Sequence, residues 1–337
     1  MSSLSNICIC IPTYNSEATI RKALISIINQ SYKDIEIHVV DNNSTDNTLK
    51  IVGEFSDERL IIHTNKKTIP SGENFNLCTS FSKGKYTAIF HSDDIYHKDI
   101  LSKQIKFMEE NNDVGVVFTN GCMIDENDQF IGSLNVPSEI PSVCNYNQII
   151  SFLLKYSNFM VCPSAIVRSK IYKTKNIWDY SKFKLSCDLG AWLKIAESFN
   201  VGFIKENLIS YRISKFQDSE YNRISIKKAD FFLPIEYHLK KNKKKLKLDT
   251  DDYKNLKILI IRDYLSRTVN AIIQKKNIQA KSNLSKIIKN NNLSLIFHRK
   301  KAFFIACIAF GIKLFTLLNL LFILRKILIY LKKRFNK

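Results

Sequence analysis

The stretch IEIHVVDNNSTDNTL, residues 35–49, combines two patterns that decide how the chain is interpreted. Residues 35–40 alternate and contain β-branched side chains, which predicts a strand. Residues 41–48 are all polar, whereas an ordinary turn needs only about two to four such residues. One interpretation is a loop in which Ser44 or Asp46 caps a helix that begins near Thr48. The other is a strand whose carboxyl end presents Asp41 to a ligand, as strands of open α/β sheets do.

The sequence around this stretch predicts alternating strands and helices. Strands are expected at residues 6–11, 34–41, 60–64 and 86–90, and helices at 16–30, 72–81, 97–110, 146–156 and 188–199. This alternation predicts an α/β fold with a mostly parallel sheet flanked by helices. Neither GxGxxG nor GxxxxGK[ST] occurs, so neither a dinucleotide fold of the usual type nor a P-loop is supported.

The positive charge of the chain is concentrated in its last third. The net formal charge is +20 over 337 residues. Residues 1–215 carry 23 basic and 23 acidic side chains, whereas residues 216–337 carry 28 and 8. We therefore expect an α/β domain at 1–215, a basic helical region at 216–300, and an apolar and basic tail at 301–337. A basic region of this kind can bind nucleic acid or an anionic membrane surface.

The tail decides between these two partners. Residues 302–324 form an apolar run of 23 residues, interrupted only by Lys313 and two uncharged polar residues, with HRKK (298–301) before it and RK (325–326) after it. A nucleic-acid surface would instead interleave basic, aromatic and polar groups. The run is long enough to span a bilayer. However, the central lysine and the positive charge on both flanks favour a helix or helical hairpin lying in the cytoplasmic leaflet of the membrane. A buried C-terminal helix of a soluble domain is the alternative.

The N-terminus and the cysteines both indicate a cytosolic protein. NICICI, residues 6–11, is too short for the apolar core of a signal peptide and follows no basic residue, so no signal peptide is expected. The eight cysteines show no metal-ligand spacing and are interpreted as reduced thiols.

A second polar cluster follows the strand expected at residues 86–90. His91, Ser92, Asp93 and Asp94 come directly after it. Adjacent carboxylates repel each other unless a cation or hydrogen-bond donors compensate. Their hard oxygen ligands suit Mg²⁺ or Mn²⁺ bridging a diphosphate. The alternative is that Asp93 or Asp94 caps the next helix.

Four motifs, in this order, resemble the family 2 glycosyltransferases, which are inverting enzymes with the GT-A fold. They are IPTYNSEATI (11–20), VVDNNSTDNT (39–48), HSDD (91–94) and LSCDLGAWLKIAE (185–197). The resemblance covers about residues 5–215. It implies the GT-A, or nucleotide-diphospho-sugar transferase, fold with a mixed, mostly parallel sheet. In this chain a C-terminal helical, basic, membrane-associating extension would follow that fold.

The resemblance also implies residues that bind the nucleotide. Pro12, Tyr14 and Glu17 would line the nucleotide pocket, together with Asp93. Asp41 would accept a hydrogen bond from the ring N–H of uracil. Asn76 occupies a position associated with the donor site, although an ordinary helical residue explains it nearly as well.

Further residues would bind the cation and carry the chemistry. Asp94 would be the direct ligand of Mn²⁺ or Mg²⁺, with Asp93 as a second ligand. His91 stands where the common motif has another aspartate, and could be a ligand, a donor to a ligand or a packing residue. Asp188 would be the catalytic base, although it also suits the capped start of an amphipathic helix. Arg212 is a candidate contact for the diphosphate, with a surface arginine as the alternative.

The resemblance and the tail together predict an enzyme of bacterial surface-polysaccharide synthesis at the cytoplasmic face of the inner membrane. It would move a hexosyl or N-acetylhexosaminyl group from a nucleotide-diphosphate sugar, namely a UDP-sugar, to a polyprenyl-linked or growing saccharide. The expected partners are the donor, the acceptor and an anionic membrane surface, with no nucleic acid. One alternative is a catalytically inactive membrane-binding protein with a GT-A-like domain. Another is a sugar-phosphate nucleotidyltransferase, against which the lack of glycine in PTYNSEAT (12–19) counts.

Overall fold

The computed structural model describes residues 6–173, 177–214, 222–288, 300–318 and 320–335. The chain divides into two compact units. The first comprises Met1–Gln217 and Leu233–Lys243, and the second comprises Asp218–Phe232 and Lys244–Lys337. Residues 298–299 of the basic HRKK segment lie outside the described residues.

The first unit is built on a ten-stranded sheet. Its strands are β1 (Ile7–Thr13), β2 (Ile35–Asp41), β3 (Leu60–Thr64), β4 (Tyr86–Ile89), β5 (Ile95–Tyr96), β6 (Val114–Ile124), β7 (Phe130–Leu134), β8 (Val143–Cys144), β9 (Ile166–Arg168) and β10 (Asn200–Arg212). They lie in the order β3-β2-β1-β4-β9-β6-β10-β5, with β7 on β6 and β8 on β10. Strands β1 to β4 are parallel to one another where they pair, as are β6 and β10, whereas β5, β7, β8 and β9 pair antiparallel. The predicted mixed, mostly parallel α/β sheet is confirmed.

Helices follow most of these strands. In and next to the first unit they are α1 (Ile20–Ile28), α2 (Thr48–Val52), α3 (Ser71–Ser80), α4 (Ile100–Glu110), α5 (Tyr146–Tyr156), α6 (Ser169–Tyr172), α7 (Tyr180–Phe183), α8 (Cys187–Ala196) and α9 (Phe232–Lys241). Helix α1 begins at Ile20 rather than at residue 16. Residues 16–19 instead form a turn in which the amides of Thr19 and Ile20 donate to the carbonyl of Ser16.

The carboxyl ends of the three central strands lie at one edge of the sheet. Thr13, the last residue of β1, is in register with Asp41, the last residue of β2. On the other side of β1, the amide of Phe90 just after β4 donates to the carbonyl of Cys10. Because parallel strands end at the same edge, the polar residues after β1, β2 and β4 are brought together there.

The apolar periodicity of the sequence accounts for the core of the first unit. Alternate residues of the central strands and one face of α1, including Ile20, Leu24 and Ile27, pack into one buried cluster. On α8, Leu189, Leu193 and Ala196 lie on one face and are buried, as is Trp192. All eight cysteines are free thiols, in agreement with the reduced state expected from the sequence.

The second unit is helical. Its helices are α10 (Thr250–Ile273), α11 (Asn277–Ile288), α12 (Lys300–Leu317) and α13 (Leu321–Phe335). The apolar run at 302–324 therefore forms parts of two consecutive helices rather than one long helix. Within the described residues, none of the helices combines the length and the apolar character that crossing a membrane requires.

Helices α12 and α13 are apolar on two sides. One side packs into a buried cluster with α10 and α11 through residues that include Ile305, Ala309 and Ile312. The other side exposes large apolar residues, namely Phe303, Phe304, Ile308, Phe310, Leu314, Leu317, Phe322, Ile323, Ile327, Tyr330 and Leu331. The alternative of an ordinary buried C-terminal helix explains only the first side, because such a helix faces water with polar residues.

Candidate functional site

The polar loop after β2 is joined to the loop after β1 by side chain to backbone hydrogen bonds. The amides of residues 15, 16 and 17 donate to Ser44 Oγ, Thr48 Oγ1 and Asp46 Oδ2, at 2.9, 2.7 and 3.0 Å. In return, the amides of residues 45 and 47 donate to Asn15 Oδ1 and Glu17 Oε2, each at 2.9 Å. These bonds explain the length of the polar stretch, because its side chains must accept hydrogen bonds from backbone amides of both loops.

The N-cap residue of α2 is Asn47 and makes no side-chain capping bond, so neither Ser44 nor Asp46 is the helix cap. Asp46 Oδ1 accepts the amide of Thr48, the first residue of α2, at 3.0 Å. Ser44 instead accepts from the amide of Asn15. Asn15 and Asn43 have φ of 46° and 64°, in the left-handed region that asparagine tolerates better than most residues.

Asp41 lies at the carboxyl end of β2 with its side chain fully buried. Its Oδ2 accepts the amide of Ser44 at 3.0 Å. Its Oδ1 is also buried and finds no hydrogen-bond partner among the described residues. A buried acceptor without a donor costs about 1–3 kcal/mol. The geometry therefore leaves one carboxylate oxygen of Asp41 for a donor that the described residues do not supply.

The other residues predicted to bind the nucleotide lie in different environments. Pro12 is in β1 beside Val40, and Tyr14, just after β1, is 50% exposed. The carboxylate of Glu17 accepts both from the amide and from the side chain of Asn47. Glu17 therefore holds the loop after β2 in place, and its charge is already used within the protein.

The acidic loop between β4 and β5 contains the one group of side chains, among the described residues, that meets the geometric requirements for holding a metal ion. The candidate ligand atoms of His91, Asp93 and Asp94 lie within 4.8 Å of one another. Asp94 is fully buried, and its Oδ1 accepts the amide of Arg212 at 2.8 Å. Asp94 Oδ2 and His91 Nε2 are buried and have no partner among the described residues. An oxygen and a nitrogen that lack hydrogen-bond partners, within one small cluster of possible ligands, fit a divalent cation.

The environment of Asp94 opposes its ionisation in the absence of a cation. Burial raises the pKa of this carboxyl well above its usual range, and the negative charge of Asp93 raises it further. The amide and the charge of Arg212 lower the pKa but do not offset burial. The helix-capping interpretation of Asp93 and Asp94 is wrong, because α4 begins only at Ile100 and its N-cap residue is Asp99.

The contacts of Arg212 do not support its expected reach to the diphosphate. The residue is 3% exposed, so the surface interpretation is wrong. Its Nε donates to the carbonyl of Asp93 and its NH1 to the carbonyl of Asp125, each at 2.8 Å, and its NH2 lies 2.6 Å from Asp128 Oδ1. The guanidinium is therefore held by the protein on three sides.

Asp188 is the second residue of α8 and is half-buried. The N-cap residue is Ser186, so Asp188 does not cap the helix. Burial raises the pKa of Asp188 to about 6, although the amides of Leu189 and of Asp188 itself lower it in part. A carboxylate of this pKa is ionised at neutral pH and is a stronger base than a solvated aspartate.

Cys162 connects Asp188 with the acidic loop. The pKa of its thiol is raised well above the ordinary value by burial first, and then by the negative charges of Asp188, Cys187 and Asp94. Asp94 and Asp188, which are far apart in sequence, thus both act on one buried thiol. The structure brings the proposed metal ligand and the proposed base into one neighbourhood.

Asn76 makes its contacts inside the protein. Its Nδ2 donates to the carbonyl of Trp178 at 2.9 Å, and its Oδ1 accepts the amide of Trp178 at 3.3 Å. Its neighbour Phe75 packs edge-on against the ring of His91, with ring centroids 5.7 Å apart. Helix α3 therefore supports the acidic loop through Phe75, while Asn76 fixes the segment around Trp178.

Several residues of the site were not predicted from the sequence. Ser16 Oγ and Ser92 Oγ are 2.9 Å apart and join the loop after β1 to the acidic loop. Asp125 and Asp128 hold Arg212, and the Cys162 thiol is affected by the charges of both Asp94 and Asp188. No local pattern distinguishes these residues, because their roles depend on contacts between distant segments.

The chain is similar in sequence to known glycosyltransferases. The sequence profile described as Glycosyl transferase family 2 matches residues 8–174. An uncharacterized glycosyltransferase of Methanocaldococcus jannaschii is 32% identical, over 68% of this chain and 78% of that protein. A UDP-Glc:alpha-D-GlcNAc-diphosphoundecaprenol beta-1,3-glucosyltransferase of Escherichia coli is also 32% identical, over 42% of this chain and 54% of that enzyme.

Solved structures share the fold at low sequence identity. TarS of S. aureus, residues 1–349 in complex with UDP-GlcNAc, has a TM-score of 0.54 and 16% identity, over 86% of this chain and 91% of that one. A mannosyltransferase of Pyrobaculum calidifontis in complex with GDP-Man and Mn²⁺ has a TM-score of 0.50 and 16% identity, over 98% and 86% of the two chains.

Proposed function

Because the chain belongs to the family 2 glycosyltransferases, we propose that it transfers a sugar with inversion from a UDP-sugar to a hydroxyl of a lipid-linked or growing saccharide. The observation that carries the proposal is the pair of carboxylates, Asp41 at the end of β2 and Asp94 after β4, two strands that both pair with β1. Asp41 and Asp94 each keep one buried oxygen without a partner among the described residues, and Asp188 shares the neighbourhood of Cys162 with Asp94. Catalysis is assigned to the first unit, which holds all three.

Asp41 is proposed to recognise the base of the donor. Its free Oδ1 is an acceptor, and uracil offers a ring N–H as donor, whereas the ring N3 of cytosine is an acceptor. Tyr14, half exposed after β1, would cover the nucleotide. Pro12 and Glu17 would line this pocket. Glu17 would do so by holding the loop after β2 in place, since its carboxylate already accepts from Asn47. The UDP-GlcNAc of TarS and the UDP-Glc in the name of the Escherichia coli relative support a uridine donor.

Asp188 is proposed to take the proton of the acceptor hydroxyl. In a single inverting displacement, the hydroxyl oxygen bonds to the anomeric carbon as the bond to the diphosphate oxygen breaks, and the proton goes to a carboxylate oxygen. His91, Asp93 and Asp94 would hold Mn²⁺ or Mg²⁺, which when bound would neutralise the charge on the departing diphosphate. The Mn²⁺ of the Pyrobaculum mannosyltransferase supports this choice of ion.

The donor is identified by a thermal-stability experiment. The midpoint of unfolding is measured with UDP, GDP, dTDP and CMP, each with and without Mn²⁺. A nucleotide that binds only the folded state at about 100 times its Kd adds about 2.7 kcal/mol of stability. We expect a clear rise for UDP that requires Mn²⁺ and is absent for CMP. No rise with any nucleotide would contradict the proposal and favour an inactive binding protein.

The acceptor is proposed to be presented at an anionic membrane surface, on the cytoplasmic side. The diphosphoundecaprenol in the relative's name is a lipid carrier. In this chain the exposed apolar side of α12 and α13 lies within the region that carries all of the excess positive charge. Apolar burial in the interface and attraction to anionic lipids would act together there.

Membrane binding is tested on the exposed side of α12. Phe304 and Leu314 are 66% and 55% exposed, so a Phe304→Glu, Leu314→Glu double variant keeps the buried cluster intact. Each side chain would contribute about 1.5–3 kcal/mol of burial in lipid. We expect binding to phosphatidylglycerol-containing vesicles, measured by co-sedimentation, to be at least about tenfold weaker. Phe130→Glu, at a 64% exposed site on β7, is the control. Equal binding by the double variant and the wild type would show that this surface is not the anchor.

A further inference from the structure

Arg212 connects the acidic loop to another part of the sheet. It is the last residue of β10 and is in register with Ile124, the last residue of β6. Its backbone amide donates to Asp94 Oδ1, and its Nε donates to the carbonyl of Asp93, both at 2.8 Å. Backbone and side chain of one buried residue thus bind two consecutive residues of the loop.

The far side of the guanidinium is held by the turn between β6 and β7. NH1 donates to the carbonyl of Asp125 at 2.8 Å, and NH2 forms an ion pair with Asp128 at 2.6 Å. Asp128 also pairs with Lys22 of α1, the helix that follows the loop after β1. We call Lys22, Asp128 and Arg212 the brace. It ties the acidic loop to α1 and to the β6–β7 turn.

The brace determines which oxygen of Asp94 is left open. Because the amide of Arg212 occupies Oδ1, Oδ2 is the oxygen without a hydrogen-bond partner among the described residues, and it lies 3.9 Å from His91 Nδ1. A ligand held in one orientation before binding loses less conformational freedom when the ion binds. Groups that hold ligands in this way commonly change metal affinity by about 10–100-fold when they are mutated.

We propose that the Asp128–Arg212 pair positions the acidic loop so that Asp94 Oδ2 is presented to the divalent cation, while neither residue touches the cation or the diphosphate. This inference rests on the proposed function, since it assigns the cation to the acidic loop. It replaces the expected diphosphate contact of Arg212 with an indirect role that its observed contacts support.

Asp128→Asn tests the proposal with little risk to folding. Asp128 has φ of 64°, which asparagine tolerates as well as aspartate, so only the charge of the pair is removed. The Kd for Mn²⁺ alone is measured from the free Mn²⁺ signal in electron paramagnetic resonance. We expect it to rise about tenfold, whereas kcat at saturating Mn²⁺ stays within about twofold of the wild type. Glu126→Gln, an exposed residue of the same turn, is the control with the same charge change.

Arg212→Lys separates positioning from direct contact. A lysine keeps the charge but cannot replace the fork that binds two carbonyls and a carboxylate together. We expect the same weakening of Mn²⁺ binding without nucleotide. A normal Kd for Mn²⁺ with weaker UDP binding at saturating Mn²⁺ would instead show direct diphosphate contact and overturn the proposal.

A metal-free measurement keeps the inference independent of the proposed function. Deuterium uptake by the peptide containing residues 91–96 is measured without metal, and we expect it to increase in Asp128→Asn but not in Glu126→Gln. If the wild type bound no Mn²⁺ but this increase were found, the metal site would be contradicted, whereas the role of the brace in holding the acidic loop would be supported. Unchanged uptake, like an unchanged Kd for Mn²⁺ in Asp128→Asn, would overturn the brace.

Discussion

Replacing Asp188 with asparagine is expected to reduce sugar transfer by about 10²–10⁴-fold, the usual contribution of a general base. The amide has nearly the same shape but cannot accept the proton of the acceptor hydroxyl. Binding of UDP with Mn²⁺ should stay within about twofold of the wild type, because the proposed base would contact the acceptor and not the nucleotide. Transfer is measured with a radiolabelled UDP-sugar, and nucleotide binding by calorimetry.

The stability of Asp188→Asn distinguishes a lost base from a damaged fold. The folded protein raises the pKa of Asp188 from 3.8 to about 6, so the ionised carboxylate destabilises the fold above about pH 4. At pH 7.5 the variant should be at least as stable as the wild type. The upper limit of the gain is about 3 kcal/mol, and the partial exposure of Asp188 reduces it. Near pH 4 the difference should vanish.

A control and a pH profile complete this test. Glu110→Gln removes one exposed carboxylate at the end of α4 and should leave transfer unchanged. In the wild type, kcat/KM should fall below about pH 6 as Asp188 becomes protonated. Substantial transfer by Asp188→Asn, or a rate without this acidic limb, would assign the base to another residue.

Replacing Asp94 with asparagine is expected to reduce transfer on the order of 10³-fold, because the cation would lose a ligand and with it several kcal/mol of charge stabilisation. The variant keeps an acceptor for the amide of Arg212, so the loop should hold its place. It also removes a buried carboxyl whose burial disfavours ionisation, so folding should not suffer. The half-saturating Mn²⁺ concentration for UDP binding is the decisive measurement, and we expect it to rise at least about tenfold.

The matched control for Asp94→Asn is Asp99→Asn, five residues further along the chain. Asp99 is the N-cap residue of α4, but its side chain makes no capping hydrogen bond. It should therefore leave both the Mn²⁺ requirement and the transfer rate unchanged. An unchanged response to Mn²⁺ in Asp94→Asn would remove Asp94 from the ligand set and leave His91 and Asp93 to be tested.

Much of the fold was predictable because it depends on local periodicity. The strand at 60–64 and the helix at 146–156 were predicted with the bounds that the structure has. The start of α1 was not predicted, because the turn at residues 16–19 is held by side chains of the loop after β2. Helix starts of this kind depend on partners about 30 residues away, which periodicity does not contain.

The residue types of the site were predictable from the sequence, but the contacts between those residues were not. Asp41, Asp94 and Asp188 each follow a local pattern, a strand end or a helix start, that sequence alone can locate. The expected diphosphate contact of Arg212 was inferred from its place in a motif alone. Its actual partners, Asp93, Asp125 and the carboxylate of Asp128, come from two loops that no spacing rule joins.

The sequence by itself determined the alternation of strands and helices, the family, and the carboxylates that carry the proposed chemistry. These follow from periodicity and from short motifs, which are local properties of the chain. Only the tertiary structure decided which carboxylate oxygens remain without hydrogen-bond partners among the described residues, that Arg212 is enclosed, and that the apolar run forms two helices with an exposed side. The physical reason is that burial and hydrogen-bond satisfaction depend on segments distant in sequence that the sheet brings together.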